Sequence, residues 1–138
     1  MKQYLKAALS YAIIGLCAGV FYRELTKYTG FSGTTRLSLM HGHYFSLGLF
    51  FFLFLLILEK LFAWTALRGS RVIVLCYHIG LNLTGLGLLL RGLVEVAGLE
   101  MTKSLNASVA GLSGLGHIAL AASLLLILLQ VGKKLSPS

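Results

Sequence analysis

The sequence predicts an all-α integral membrane protein: a bundle of four transmembrane helices, antiparallel to their neighbours and assembled as an oligomer. Composition is the first observation. Of 138 residues, 57% are hydrophobic and 12% are charged, with a mean hydropathy of +0.87, whereas a soluble domain carries about 25% charged residues. The second is patterning. The apolar residues gather in four runs of membrane-spanning length, about 5–22, 37–58, 72–96 and 108–131, forming one domain over 1–138. The third is that the connections between the runs are short, which makes neighbours antiparallel.

The net charge of +8 would suggest nucleic acid in a soluble protein. Here the basic residues cluster at span ends, the pattern of topology and headgroup contact, so the partner is the lipid bilayer and not nucleic acid. Lys2, Lys6, Lys60, Arg68, Arg71, Lys133 and Lys134 fall on one side. Arg23, Lys27, Arg36, Arg91 and Lys103 fall on the other. Seven against five puts both termini in the cytoplasm.

Span one opens with Lys2 and Lys6 ahead of an apolar run, as a signal peptide does. The run continues to Tyr22, however, and Leu16 precedes Cys17 where a lipoprotein cleavage site takes a small residue, so it reads as an uncleaved span. Ala8, Ala12, Gly15 and Gly19 form one stripe of small residues along it, a surface for close helix packing. A polar loop, 23–36, leads to span two. The loop after that span holds Trp64, an expected interface anchor. Spans three and four are joined by a polar turn over 100–107, and the single proline, Pro137, lies in the tail. Cys17 and Cys76 lie inside apolar spans, outside any CxxC, and read as packing residues.

Function has to come from the polar residues within the spans. There is no aspartate, and the four glutamates sit at span ends, which argues against a carboxylate proton relay. No hydrolase triad, P-loop or zincin signature is present, so no catalytic residue is assigned. The histidines stand out, because an intramembrane ionisable residue is by default a functional hypothesis. His41 and His43 on span two lie roughly 200° apart around a helix at ~100° per residue. They serve two different neighbourhoods. A four-helix protomer has one interior, so one of the pair faces lipid or another protomer, and a closed cyclic oligomer gives each copy the same contact.

Counting ~1.5 Å per residue into a core of ~30 Å puts His41 about 7 Å, His43 about 10 Å, His117 about 14 Å and His78 about 20 Å below the outer surface. His43 and His117 can therefore hold a flat macrocycle between facing helices, as axial imidazoles hold haem iron. Gly111, Gly114 and Gly116 near His117, and Gly80, Gly85 and Gly87 on span three, leave room for it; the same glycines also suit plain helix packing. Arg91 and Arg36 lie at a suitable level for haem propionates. Glu95, four residues after Arg91, is its expected ion-pair partner. His78 shares a face with Asn82, which can orient its ring.

His41-Gly42-His43-Tyr44, with Ser46 and Gly48, resembles the HxH helix of haem-copper oxidase catalytic subunits. The resemblance implies two histidines of one helix ligating two haems on opposite sides. The H-x-H-x-x-x-x-G form also resembles nitric-oxide-response haem membrane proteins. Over its whole length the chain resembles a family of small four-helix bacterial membrane proteins with no assigned function, on Tyr22-Arg23-Glu24 and the stretch 35–48. The oxidase copper site needs an adjacent His-His pair, which does not occur here. The oxidase core has twelve helices in pseudo-threefold array, so four helices imply a homotrimer.

The expectation is a haem-b membrane protein for electron transfer or for oxygen or nitric oxide binding, with a redox partner. His43, His117, His41, Arg91 and Arg36 are its cofactor residues. Two alternatives stand beside it. One is a copper or other metal-ion carrier using His41, His43, His78 and His117. The other is a non-catalytic structural or assembly subunit whose histidines only hydrogen-bond.

Overall fold

The computed structural model describes residues 1–135, and Pro137 lies outside them. Four helices form the chain: α1, Lys2–Thr29; α2, Leu37–Phe62; α3, Ser70–Val96; and α4, Lys103–Leu135. Each is long and apolar enough to cross a membrane.

The helices outrun the apolar spans. α1 continues past Tyr22 to Thr29, through residues expected as loop. Nothing in that segment breaks a helix until Gly30, which takes φ 67° and turns the chain, with Gly30 and Phe31 N–H bonding back to the Lys27 and Thr26 carbonyls. α2 is not uniform. Its middle, Tyr44–Phe50, is π-helical, between α-helical Leu37–His43 and Phe51–Phe62. A π segment widens the helix, and such segments gather at functional sites. This one begins directly after the HxH motif.

α2 and α4 both pack on α3, and α1 packs on α2. The small residues of α3 make this possible. A Cβ at Gly80 would lie 2.8 Å from the Gly116 carbonyl oxygen and from the Leu120 nitrogen of α4. One at Gly92 would lie 2.6 Å from the Leu37 nitrogen of α2. Gly85 is covered by the Tyr44 hydroxyl and Gly87 by the Ser113 hydroxyl. The α1 stripe works within the chain: Gly15 lies under the Phe45 ring and Gly19 beside His41.

Packing between α2 and α4 is concentrated on Phe51–Phe62, so these two helices part toward the other end of the bundle. At the closed end, Tyr4 stacks between Phe52 and Trp64, with centroids at 6.3 and 6.4 Å. Trp64 is fully buried there. It plugs the bundle rather than anchoring in the lipid interface, because the turn Trp64–Ala66 folds it back over Tyr4.

Gly80→Ala should destabilise the protein by about 1–3 kcal/mol, since backbone rather than a flexible side chain must yield. Gly114→Ala, whose Cβ would meet nothing within 4 Å, should not. Reversible unfolding in mixed micelles compares the two.

Candidate functional site

The four histidines fall into two kinds of environment. His78 is the interior one. Its ring stacks on Phe52 at 4.5 Å and on Tyr11 at 5.6 Å, and Tyr11 Oη lies 2.7 Å from its Nδ1. Asn82 does not bond the imidazole, as its spacing suggested. Its Nδ2 donates to the Tyr11 hydroxyl at 3.1 Å and to the His78 carbonyl at 2.8 Å. Asn82 thus orients His78 through Tyr11.

The proton positions follow from donor counting. The His78 carbonyl can only accept, so the amide group beside it is the NH₂, and its second N–H points to Tyr11 oxygen. Tyr11 is buried, and a hydroxyl hydrogen left unpaired there would be costly. It is satisfied by donating to His78 Nδ1. The neutral imidazole then carries its proton on Nε2. Tyr11 was missed from the sequence, although it sits within the small-residue stripe of α1, where a buried phenol needs a partner.

His43 and His117 have the opposite arrangement. His43 Nδ1 lies 2.9 Å from the Leu39 carbonyl, and His117 Nδ1 lies 2.7 Å from the Ser113 carbonyl, each four residues back on its own helix. A carbonyl only accepts, so both rings carry the proton on Nδ1 and present a bare Nε2. His117 is exposed on the surface of the bundle and His43 is partly so, beside a groove of about 210 Å³ lined by Gly42, Ser46 and Leu47. His41 is exposed on the other flank, edge-on to Phe45 at 6.2 Å and next to Gly19 of α1.

Heights can be read from the cross-helix contacts. Leu37 meets Gly92 and Tyr44 meets Gly85, which levels His43 with Leu86. Ser113 meets Gly87 and Gly116 meets Thr84 and Gly80, which levels His117 with Leu83. Three residues of α3 separate the two, about 4–5 Å at ~1.5 Å per residue.

Above them the open end of the bundle is polar. Glu95 accepts from the Arg36 backbone N–H at 2.7 Å and ion-pairs with the Arg36 guanidinium. The expected Arg91–Glu95 pair is therefore not made. Arg91 instead reaches α4 and donates to Asn106 Oδ1 at 3.3 Å, while its Nε is buried without a partner. Arg36, Arg91, Glu95, Glu100 and Asn106 share a cavity of about 500 Å³. Thr35 fixes this corner by donating to the Gly92 carbonyl at 3.0 Å.

No group of three or more His, Cys, Asp or Glu converges among the described residues. Cys17 and Cys76 are free and exposed on the protomer surface.

Four long apolar helices, with histidine, tyrosine and asparagine bonded to one another inside, define a multi-pass α-helical membrane protein. Within that class, the chain belongs to the DUF2871 family, described as proteins of unknown function, whose model matches residues 1–134. No curated protein and no solved structure matches the chain, so the haem-copper oxidase resemblance rests on the HxH motif alone.

Tyr11→Phe strands His78 Nδ1 and one Asn82 N–H. It should cost about 1–3 kcal/mol of stability in an unfolding titration. Tyr28→Phe, at a tyrosine 91% exposed, should cost nothing measurable.

Proposed function

We propose that the protein binds haem b between α2 and α4, where the Nε2 atoms of His43 and His117 would hold the iron, for electron transfer or, with one imidazole displaced, diatomic gas binding. The observation that carries this reading is the shared tautomer. Both rings lock Nδ1–H onto their own helix and leave a lone pair outward, the state and bracing that a metal-ligating histidine requires. In a bilayer that lone pair has no water to meet, so a ligand there offsets a cost.

Position supports it as well. His41 lies against α1, and His43, roughly 200° around the helix, looks away from α1. That is toward the side on which α2 and α4 part. The two histidines are nearly level, and Arg36, Arg91 and Asn106 sit five or more residues nearer the open end, on the order of 8 Å or more above. Arg36 and Arg91 are the groups that would hold the haem propionates. Arg91, with a buried Nε lacking a partner, is the stronger candidate. Arg36 already serves Glu95.

The assembly we propose is a homotrimer in a bacterial inner membrane with both termini cytoplasmic. His41 is exposed beside α1, outside the protomer's packed interior, and a neighbouring copy would cover it.

Purified from haem-replete cells, the protein should show a Soret band. His43→Ala and His117→Ala should each lose or shift it, whereas His78→Ala should leave it in place. A colourless, folded protein overturns the reading. Arg91→Gln should weaken haem retention and lower the midpoint potential, because a nearby positive charge favours the reduced state; redox titration reads this directly. Native mass spectrometry tests the assembly. Three chains support the trimer, and a stable monomer in mild detergents rejects it.

A further inference from the structure

Another cavity, of about 230 Å³, lies between the N-terminal ends of α1 and α3. It is lined by Gln3, Tyr4, Arg71, Val74, Leu75 and His78. His78 is its deepest polar group, since Arg71 stands in the first turn of α3 and His78 two turns further along. The hydrogen-bond chain through Tyr11 and Asn82 fixes the proton of His78 on Nε2. That nitrogen makes no hydrogen bond among the described residues and is not fully buried, and His78 lines the cavity. The cavity therefore holds a neutral N–H donor at its inner end and a guanidinium at its mouth. Tyr4 provides an aromatic wall and Val74 an apolar one. Leu75, 57% exposed, opens one side toward lipid.

We propose that this cavity binds the ring of a p-quinone. Such a ring is flat and apolar, with an oxygen acceptor at each end, so it spans a donor deep in the cavity and another at its mouth. Its hydrocarbon tail leaves past Leu75 into the bilayer. A phosphate or carboxylate headgroup carries its oxygens at one point and would stop at Arg71, leaving the His78 N–H unmet. With Nδ1 accepting from the Tyr11 hydroxyl, the His78 Nε2–H is left to donate to a quinone carbonyl. The site does not depend on haem, and its test reads neither haem content nor haem spectrum.

Trp64, the single tryptophan of the chain, stacks on Tyr4 at 6.4 Å and reports on the cavity. The full chain in phosphatidylcholine nanodiscs is titrated with a short-tailed p-benzoquinone while Trp64 fluorescence is followed. Saturable quenching is expected, weakened tenfold or more by His78→Leu and severalfold by Arg71→Gln. Arg71 is exposed at the mouth, so its variant keeps the test meaningful if His78→Leu fails to fold. Non-saturable quenching, or saturation unchanged in either folded variant, overturns the proposal. Displacement of the quinone by phosphatidylglycerol nanodiscs or by inorganic phosphate also overturns it, assigning the mouth to an anionic headgroup or a free anion respectively.

Discussion

Close approach of backbones along α3 is the constraint on which the other features depend. In lipid there is no hydrophobic drive between helices, so association rests on van der Waals contact and hydrogen bonds at short range. α3 meets this with glycines on two flanks. Gly85 and Gly92 receive α2, and Gly80 and Gly87 receive α4. Because two helices seat on adjacent flanks of one axis, they must either touch or part. They touch through Phe51–Phe62 and part toward the HxH end. That parting at the level of His43 is thus a consequence of glycine placement, independent of the histidines themselves.

The histidines then divide by what satisfies Nδ1. A helix offers every histidine its own i−4 carbonyl, and His43 and His117 take it. His78 does not, because its helix turns that ring toward α1, where Tyr11 waits. The choice of partner decides the chemistry left on the other nitrogen. A carbonyl partner leaves a lone pair suited to a metal; a donating phenol leaves an N–H suited to an oxygen acceptor. One residue type, in one bundle, thus presents a bare nitrogen in one setting and an N–H in another, each decided by a single hydrogen bond.

Much of the fold was legible because hydrophobic run length and small-residue spacing are local signals. The stripe Ala8, Ala12, Gly15, Gly19 pointed to a packing face, and Gly15 and Gly19 do lie against Phe45 and His41 of α2. Helix ends were less legible, since α1 crosses Arg23 and Lys27 without a breaker and stops only where Gly30 permits a positive φ. Partner choice was not legible at all. Glu95 is four residues from Arg91, yet the loop before α2 brings Arg36 to it at closer range, backbone N–H included. Tyr11 and Asn82 are 71 positions apart, and no local pattern links them.

The π-helical segment Tyr44–Phe50 joins these two levels. The aromatic residues after the HxH motif must meet two helices at once: Phe45 covers Gly15 of α1, Tyr44 covers Gly85 of α3, and the Leu47 carbonyl accepts from Tyr77 at 2.9 Å. A π turn frees a backbone carbonyl from the regular i−4 ladder. Here the Leu47 carbonyl lies inside the π segment and accepts a tyrosine hydroxyl from α3. Tyr77 in turn stacks on Phe51 at 4.1 Å, where α2 returns to α-helical form. The irregularity is held from outside by α3, immediately after His43. Straightening it would rotate His43 relative to Phe51–Phe62, the stretch that meets α4, so the segment fixes where His43 looks while leaving the closed end of the bundle packed.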